Sequence, residues 1–96
     1  MLEVKQTEYY AKWFRSLKDR RAKLRIDVRI RRLSLGNPGD LKPVGEGISE
    51  LRIDYGPGYR IYFTSRNNEL ILLLVGGDKS SQMKDIAKAK EIAKEL

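Results

Sequence analysis

The sequence predicts an α+β fold, in which an N-terminal strand and a helical hairpin pack on a mostly antiparallel β-sheet and a C-terminal helix closes the chain. Two observations carry this expectation. Apolar residues recur at three- and four-residue spacings from Glu8 to about Leu35, alternate with polar residues from Leu41 onward, and return to helical spacing after Ser81. Turn-forming clusters, Gly36-Asn37-Pro38-Gly39, Gly56-Pro57-Gly58 and Asn67-Asn68, fall where the period changes or a strand has to reverse.

Taken in order, Leu2, Val4 and Gln6 alternate with Glu3 and Lys5, the pattern of a short strand with one buried face. Thr7 is placed to cap a helix from about Glu8 to Lys18, whose Tyr10, Trp13, Phe14 and Leu17 share a face. Asp19 caps a second helix to about Leu35, with Ala22, Ile26, Ile30 and Leu33 on its apolar side and the Gly36–Gly39 cluster as its stop. Glu50 to Tyr55 and Tyr59 to Thr64 read as a β-hairpin around Gly56-Pro57-Gly58. Glu69 to Gly76 is a nearly continuous apolar strand, expected to be central in the sheet. Gly76 to Ser81 reads as a loop, with Ser80 or Ser81 capping a last helix that buries Met83, Ile86, Ala89, Ala93 and Leu96. The expected order is β, α, α, β, β, β, α, with the helices on one face of the sheet.

Ninety-six residues, 41% of them hydrophobic, suffice for one compact domain over residues 1–96, of a size at which a stabilising partner is expected. There is no cysteine, so neither a disulfide framework nor a thiol nucleophile is available. The N-terminus lacks the features of a signal peptide, and the apolar run from Leu70 to Val75 is far too short to span a bilayer, so a soluble, cytoplasmic protein with no membrane partner is expected. Without histidine or cysteine the usual transition-metal ligands are missing, and the expectation is no metal site and no cofactor. Acid and base chemistry falls to Lys, Arg, Tyr, Asp or Glu.

The net charge of +7 is unevenly distributed. From Arg15 to Arg32 nine basic residues stand against two acidic ones, which accounts for the whole excess and creates a field that attracts a polyanion or an acidic protein. Within that segment Arg21, Arg25, Arg29 and Arg32 form a stripe along one face of the second helix. RNA binding is one reading of the stripe, and a solvated helix face is the other.

With the hairpin turn centred on Pro57, Asp54 is expected opposite Arg60, Arg52 opposite Tyr62, and Glu50 opposite Thr64. Leu51, Ile53, Tyr55, Tyr59, Ile61 and Phe63 then go to the core, and Glu50, Arg52, Asp54, Arg60, Tyr62 and Thr64 to the other face. Two arginines and a tyrosine on adjacent strands suit a phosphate, since guanidinium donates paired hydrogen bonds to its oxygens and a ring stacks on a base. Ordinary cross-strand decoration is the competing explanation. Lys79, just ahead of a helix N-terminus, lies where anions are favoured, although exposed loop lysines are common.

The segments ELRIDYGPGYRIYF from Glu50 to Phe63 and LLLVGGDKSSQMKDI from Leu72 to Ile86, with RIRRLSLGNPGDLKPVGEGISELRI upstream, resemble the addiction-module killer (HigB-like) subfamily of the RelE/ParE superfamily. The resemblance covers nearly the whole chain and implies a single RelE/ParE-type toxin domain. In the RNA-cutting relatives, basic residues at three such positions surround the scissile phosphate. By motif these correspond to Arg52, Arg60 and Lys79, with Lys42 adding a contact. The relatives' usual tyrosine in the last helix or tail, or their histidines, for proton transfer have no counterpart here, Asp85 lying near that place.

The resemblance implies a metal-free, ribosome-dependent mRNA endoribonuclease, the toxin of a type II toxin–antitoxin system. An RNA 2′-hydroxyl attacks the adjacent phosphorus while Arg60 and Lys79 stabilise the developing charge, Arg52 holds the phosphate, and Tyr62 stacks on a base or assists a proton. The implied partners are mRNA on the ribosome, where the basic stripe meets ribosomal RNA, and a cognate antitoxin of the small helix-turn-helix kind. Two alternatives stay open: a protein-binding toxin such as a gyrase inhibitor, working through the helical hairpin, and a non-catalytic module that binds antitoxin or nucleic acid.

Overall fold

The computed structural model describes all 96 residues. Strand β1 (Glu3–Gln6) leads into helices α1 (Glu8–Ser16) and α2 (Arg20–Ser34). Four strands follow, β2 (Leu41–Gly45), β3 (Ile48–Ile53), β4 (Tyr59–Arg66) and β5 (Leu70–Asp78), then a 3-10 turn (Lys79–Ser81) and helix α3 (Gln82–Lys94). The sheet order is β1-β5-β4-β3-β2, antiparallel except for the parallel β1–β5 pair. The α+β architecture read from the periodicity is the one observed.

Both helix caps form. The Thr7 hydroxyl accepts from the Tyr10 N–H at 3.1 Å and donates to the Leu74 carbonyl at 2.6 Å, so one side chain starts α1 and pins it to β5. Asp19 accepts from the N–H groups of Arg21 and Ala22, and its other oxygen receives the Tyr55 hydroxyl at 2.9 Å. The start of α2 is thereby tied to the β3–β4 turn.

Four expectations need correction, the last of them at the two glycines of β5. Leu41 to Gly45 is a strand in its own right: proline excludes it from a sheet interior, and it lies at the edge, bulged between Pro43 and Gly45. The helices cover both faces of the sheet rather than one. Tyr10, Ala22, Ile26 and Leu33 pack with Leu51, Ile61, Phe63 and Leu73 on one side, while Ala89 and Ile92 of α3 pack with Ile48, Tyr62 and Leu74 on the other. In the last helix Met83 and Leu96 are exposed, and Ile92 takes the buried position instead. The apolar strand β5 is indeed covered on both faces, and a bulge opposite Tyr62 and Phe63 turns Leu74 toward α3.

Close approach at β5 depends on its two glycines, which belong to the strand and not to a loop. A Cβ on Gly76 would lie 2.3 Å from the Trp13 ring, so the indole of α1 rests directly on backbone. Replacing Gly76 with alanine is expected to destabilise the protein by about 1–3 kcal/mol through overpacking. Urea unfolding followed by the fluorescence of Trp13, the sole tryptophan, measures it, and an unchanged midpoint would contradict this packing.

Candidate functional site

The β3–β4 register differs by two residues from the expected one. Arg52 faces Arg60, Glu50 faces Tyr62, and Ile53 faces Tyr59. The connection is longer than the expected three-residue loop, with Asp54 to Gly58 lying beyond the last pair and Gly58 N–H donating to the Tyr55 carbonyl within it. An even shift preserves which residues share a face, so the sorting into a core side and a chemical side stands while the pairs change. Asp54 does not oppose Arg60, and Tyr62 does not oppose Arg52.

Two arginines directly across from each other repel, and each has its own carboxylate. Arg52 donates through Nε and Nη2 to one oxygen of Asp40, at 3.1 and 2.8 Å. Arg60 has its Nε 3.9 Å from the fully buried Glu50, and its Nη1 donates to the Gly58 carbonyl at 2.8 Å. The Lys79 N–H reaches the Pro57 carbonyl at 3.4 Å, which draws the 3-10 turn against the hairpin turn. Gly58, at φ +79°, permits this approach, because a Cβ there would lie 3.1 Å from Arg60 Nη1 and 3.5 Å from the Lys79 side chain.

Arg52, Arg60 and Lys79 therefore line one open cleft of about 510 Å³, together with Asp40, Asp54 and the Gly56-Pro57-Gly58 turn. Asp40 is committed to Arg52, whereas Asp54 is exposed and engages in no ion pair. No group of three or more acidic side chains is close enough to form a metal-binding cluster. What the cleft offers is three cations, one free carboxylate and solvent access.

The remaining sequence-derived residues do not join it. Tyr62 is fully buried and donates its hydroxyl to Glu50 at 2.8 Å; burial first, then that bond, pushes its ionisation well above the ordinary tyrosine range. Its ring is enclosed, so the expected stacking on a base is replaced by a contact beneath the cleft. Lys42 is exposed on edge strand β2, opposite Glu50 in register, outside the cleft walls. The arginine stripe divides. Arg29 spends its guanidinium on the carbonyls of Arg52 and Pro38, which makes it a brace for the β3 backbone, and Arg25 lies 4.6 Å over the Tyr55 ring. Arg21 and Arg32 are exposed.

Asp85, the last-helix carboxylate singled out in the sequence, belongs to a different surface. It packs against Gly77, where a Cβ would come within 1.8 Å, accepts from the Ser81 hydroxyl at 2.5 Å, and lines the groove between α1 and α3. Ser81 is thus engaged with Asp85, and the cap at this end comes from Asp78, which receives the Ser80 N–H. Sequence reasoning missed Glu50 as a buried charge and Asp40 as the partner of Arg52. The one available signal was Glu50 itself, an acidic residue between the apolar Ile48 and Leu51 of a strand that is otherwise closely packed.

Desolvation raises the Asp85 pKa, with the Ser81 bond opposing the shift. A carboxyl whose folded pKa lies above its unfolded value favours the fold while protonated, and that contribution is lost as pH rises through the folded pKa. The wild type is therefore expected to lose stability relative to Asp85→Asn as pH climbs from about 4 toward neutrality. Thermal midpoints of both proteins across that range test this, and parallel curves would contradict it.

A model of phage-derived Gp49-like proteins (DUF891) matches residues 12–96. An uncharacterized protein of Haemophilus influenzae is 52% identical over 95 residues, spanning 99% of this chain and 96% of the relative. The solution structure of the conserved hypothetical protein HP0894 from Helicobacter pylori gives a TM-score of 0.46 at 17% identity, covering 83% of this chain and 97% of that one, a distant likeness. The match over residues 12–96 includes every strand of the cleft, the 3-10 turn and α3, and with the near full-length relative it establishes that the chain belongs to the Gp49-like family of phage-derived proteins.

Proposed function

We propose that the protein is the toxin of a type II toxin–antitoxin pair and that it arrests translation by cutting mRNA on the ribosome without a metal. The observation that carries the reading is the convergence of Arg52, Arg60 and Lys79 on one open cleft beside an unpaired carboxylate. The RelE/ParE resemblance of the same segments and membership of the toxin-like Gp49 family support it.

In this reading Arg52 and Arg60 grip the scissile phosphate, where fixed guanidinium donors stabilise the charge that develops on its oxygens. Asp54, the cleft carboxylate without an ion pair, takes the proton of the 2′-hydroxyl as its oxygen bonds to phosphorus. The bond from phosphorus to the 5′-oxygen breaks, and the Lys79 ammonium protonates that leaving oxygen. The products are a 2′,3′-cyclic phosphate and a 5′-hydroxyl end. Tyr62 acts from beneath, through Glu50, and the exposed Lys42, Arg21 and Arg32 add long-range attraction to ribosomal RNA, which weakens with salt. The antitoxin, a small helix-turn-helix protein, neutralises the toxin by covering this surface.

One observation favours a second reading. Leu24 and Val28 on α2 are 66% and 48% exposed among the arginines, an apolar strip suited to a protein target, as for a gyrase inhibitor acting through the helical hairpin.

Alanine at Arg60 or Lys79 is expected to lower cleavage by about 10²–10³-fold each, as for loss of one group that stabilises transition-state charge. Growth after induction, with mapping of transcript 5′ ends, measures this. Persistent toxicity of the Arg52, Arg60 and Lys79 triple alanine variant, with intact messages, would overturn the nuclease reading. Loss of toxicity in Leu24→Asp with codon-phased cuts absent would favour the protein-binding one.

A further inference from the structure

We propose that Glu50 is a positioning residue for Arg60, fixing the direction of its guanidinium toward the substrate phosphate without touching the RNA. This rests on the phosphoryl-transfer reading above and assigns a task to a charge that the reading otherwise leaves unused.

The Glu50 side chain is completely buried, an arrangement that carries a large desolvation penalty for a carboxylate. Its partners come from two further elements. Oε2 accepts from the Tyr62 hydroxyl of β4 at 2.8 Å and from Gln82 Nε2, at the start of α3, at 2.9 Å, and lies 3.9 Å from Arg60 Nε. A purely structural need for an acceptor at this site would be met by a neutral amide of similar volume, which can accept from the Tyr62 hydroxyl without burying a charge. What a neutral residue does not supply is a counter-charge behind Arg60.

The geometry of Arg60 shows what the counter-charge does. Its side chain is only 13% exposed, Nη1 is fixed on the Gly58 carbonyl, and Nε faces Glu50, so Nη2 is the terminal nitrogen without a protein partner. Neither Arg60 Nε nor Glu50 Oε1 makes a hydrogen bond, and the ion pair is longer than a direct bond. The guanidinium is held by field and packing, with room to settle onto a phosphate while its orientation is kept. Gln82 follows the 3-10 turn that carries Lys79, so the same carboxylate also anchors the base of the second cation's turn.

The test uses the full-length protein on ribosomes programmed with mRNA. Glu50→Gln keeps the volume and the acceptor for Tyr62 but removes the charge, and Tyr62→Phe removes a donor that orients Glu50. Glu50→Gln is expected to lower kcat by about 10–100-fold with KM changed less than about threefold and no fall in thermal midpoint, the signature of an interaction that matters in the transition state. Tyr62→Phe is expected to show the same kcat pattern, at about 3–10-fold. The Arg60 Nε–H resonance, followed by NMR, is expected to exchange faster with solvent in both variants. Wild-type kcat in Glu50→Gln, or a loss that follows the thermal midpoint and disappears on cooling, overturns the positioning role. Arg60→Ala in parallel separates the two claims: if it is inactive while Glu50→Gln is fully active, positioning alone fails, and if it cleaves normally, the phosphoryl-transfer reading fails and positioning with it.

Discussion

The pairing of β3 with β4 is the constraint on which the rest of the molecule depends. Alternation along two neighbouring strands sends Leu51, Ile53, Tyr59, Ile61 and Phe63 to the core beneath α1 and α2, and Glu50, Arg52, Arg60 and Tyr62 to the opposite face. A slip of one residue on either strand would exchange the two sets, burying both arginines and exposing the core. The register is held at one end by the Tyr55-to-Gly58 turn and at the other by β2, with Asp19 gripping Tyr55 and Arg29 holding the Arg52 carbonyl. The basic helix is thereby part of the scaffold of the cleft, as well as a source of positive field.

The second face is half core and half cleft, and the boundary runs through the polar groups. α3 covers Ile48, Tyr62 and Leu74, but its N-terminal end meets Glu50 through Gln82 and the Gly77 backbone through Asp85. Gly76 and Gly77 let two elements touch β5 from opposite sides at one point along the strand, Trp13 from one and Asp85 from the other. The end of β5 is fixed in this way, and with it the direction in which Lys79 leaves the sheet. Fold and site therefore share residues, and a change at either glycine reaches the cleft through backbone.

Elements with strong periodicity were legible in the sequence. The faces of α1 and α2, their Thr7 and Asp19 caps, and the two-sided burial of β5 follow from spacing and residue type alone. The convergence of Arg52, Arg60 and Lys79 was anticipated from motif, and strand parity independently put both arginines on one face. Long-range detail was not legible. Five residues containing a proline gave too weak a pattern to mark β2, and Gly-Gly read as a loop because the close approach it serves involves Trp13, more than sixty positions away. Tyr62 was read as a surface ring because alternation reveals which face a residue is on, not whether a helix covers that face. Glu50 escaped for the same reason: its partners Gln82 and Arg60 are brought together only by the packed structure.

The central claim, that three cations in this cleft drive metal-free attack by a 2′-hydroxyl, is tested most directly by the chemistry of the RNA ends. Ribosomes programmed with a defined message, treated with the purified protein, are analysed by mass spectrometry of the fragments. The account predicts 2′,3′-cyclic phosphate and 5′-hydroxyl termini, and no cutting where the nucleotide before the scissile bond carries a 2′-deoxy or 2′-O-methyl group. Fragments with 5′-phosphate ends, or undiminished cutting at the 2′-blocked position, would contradict it.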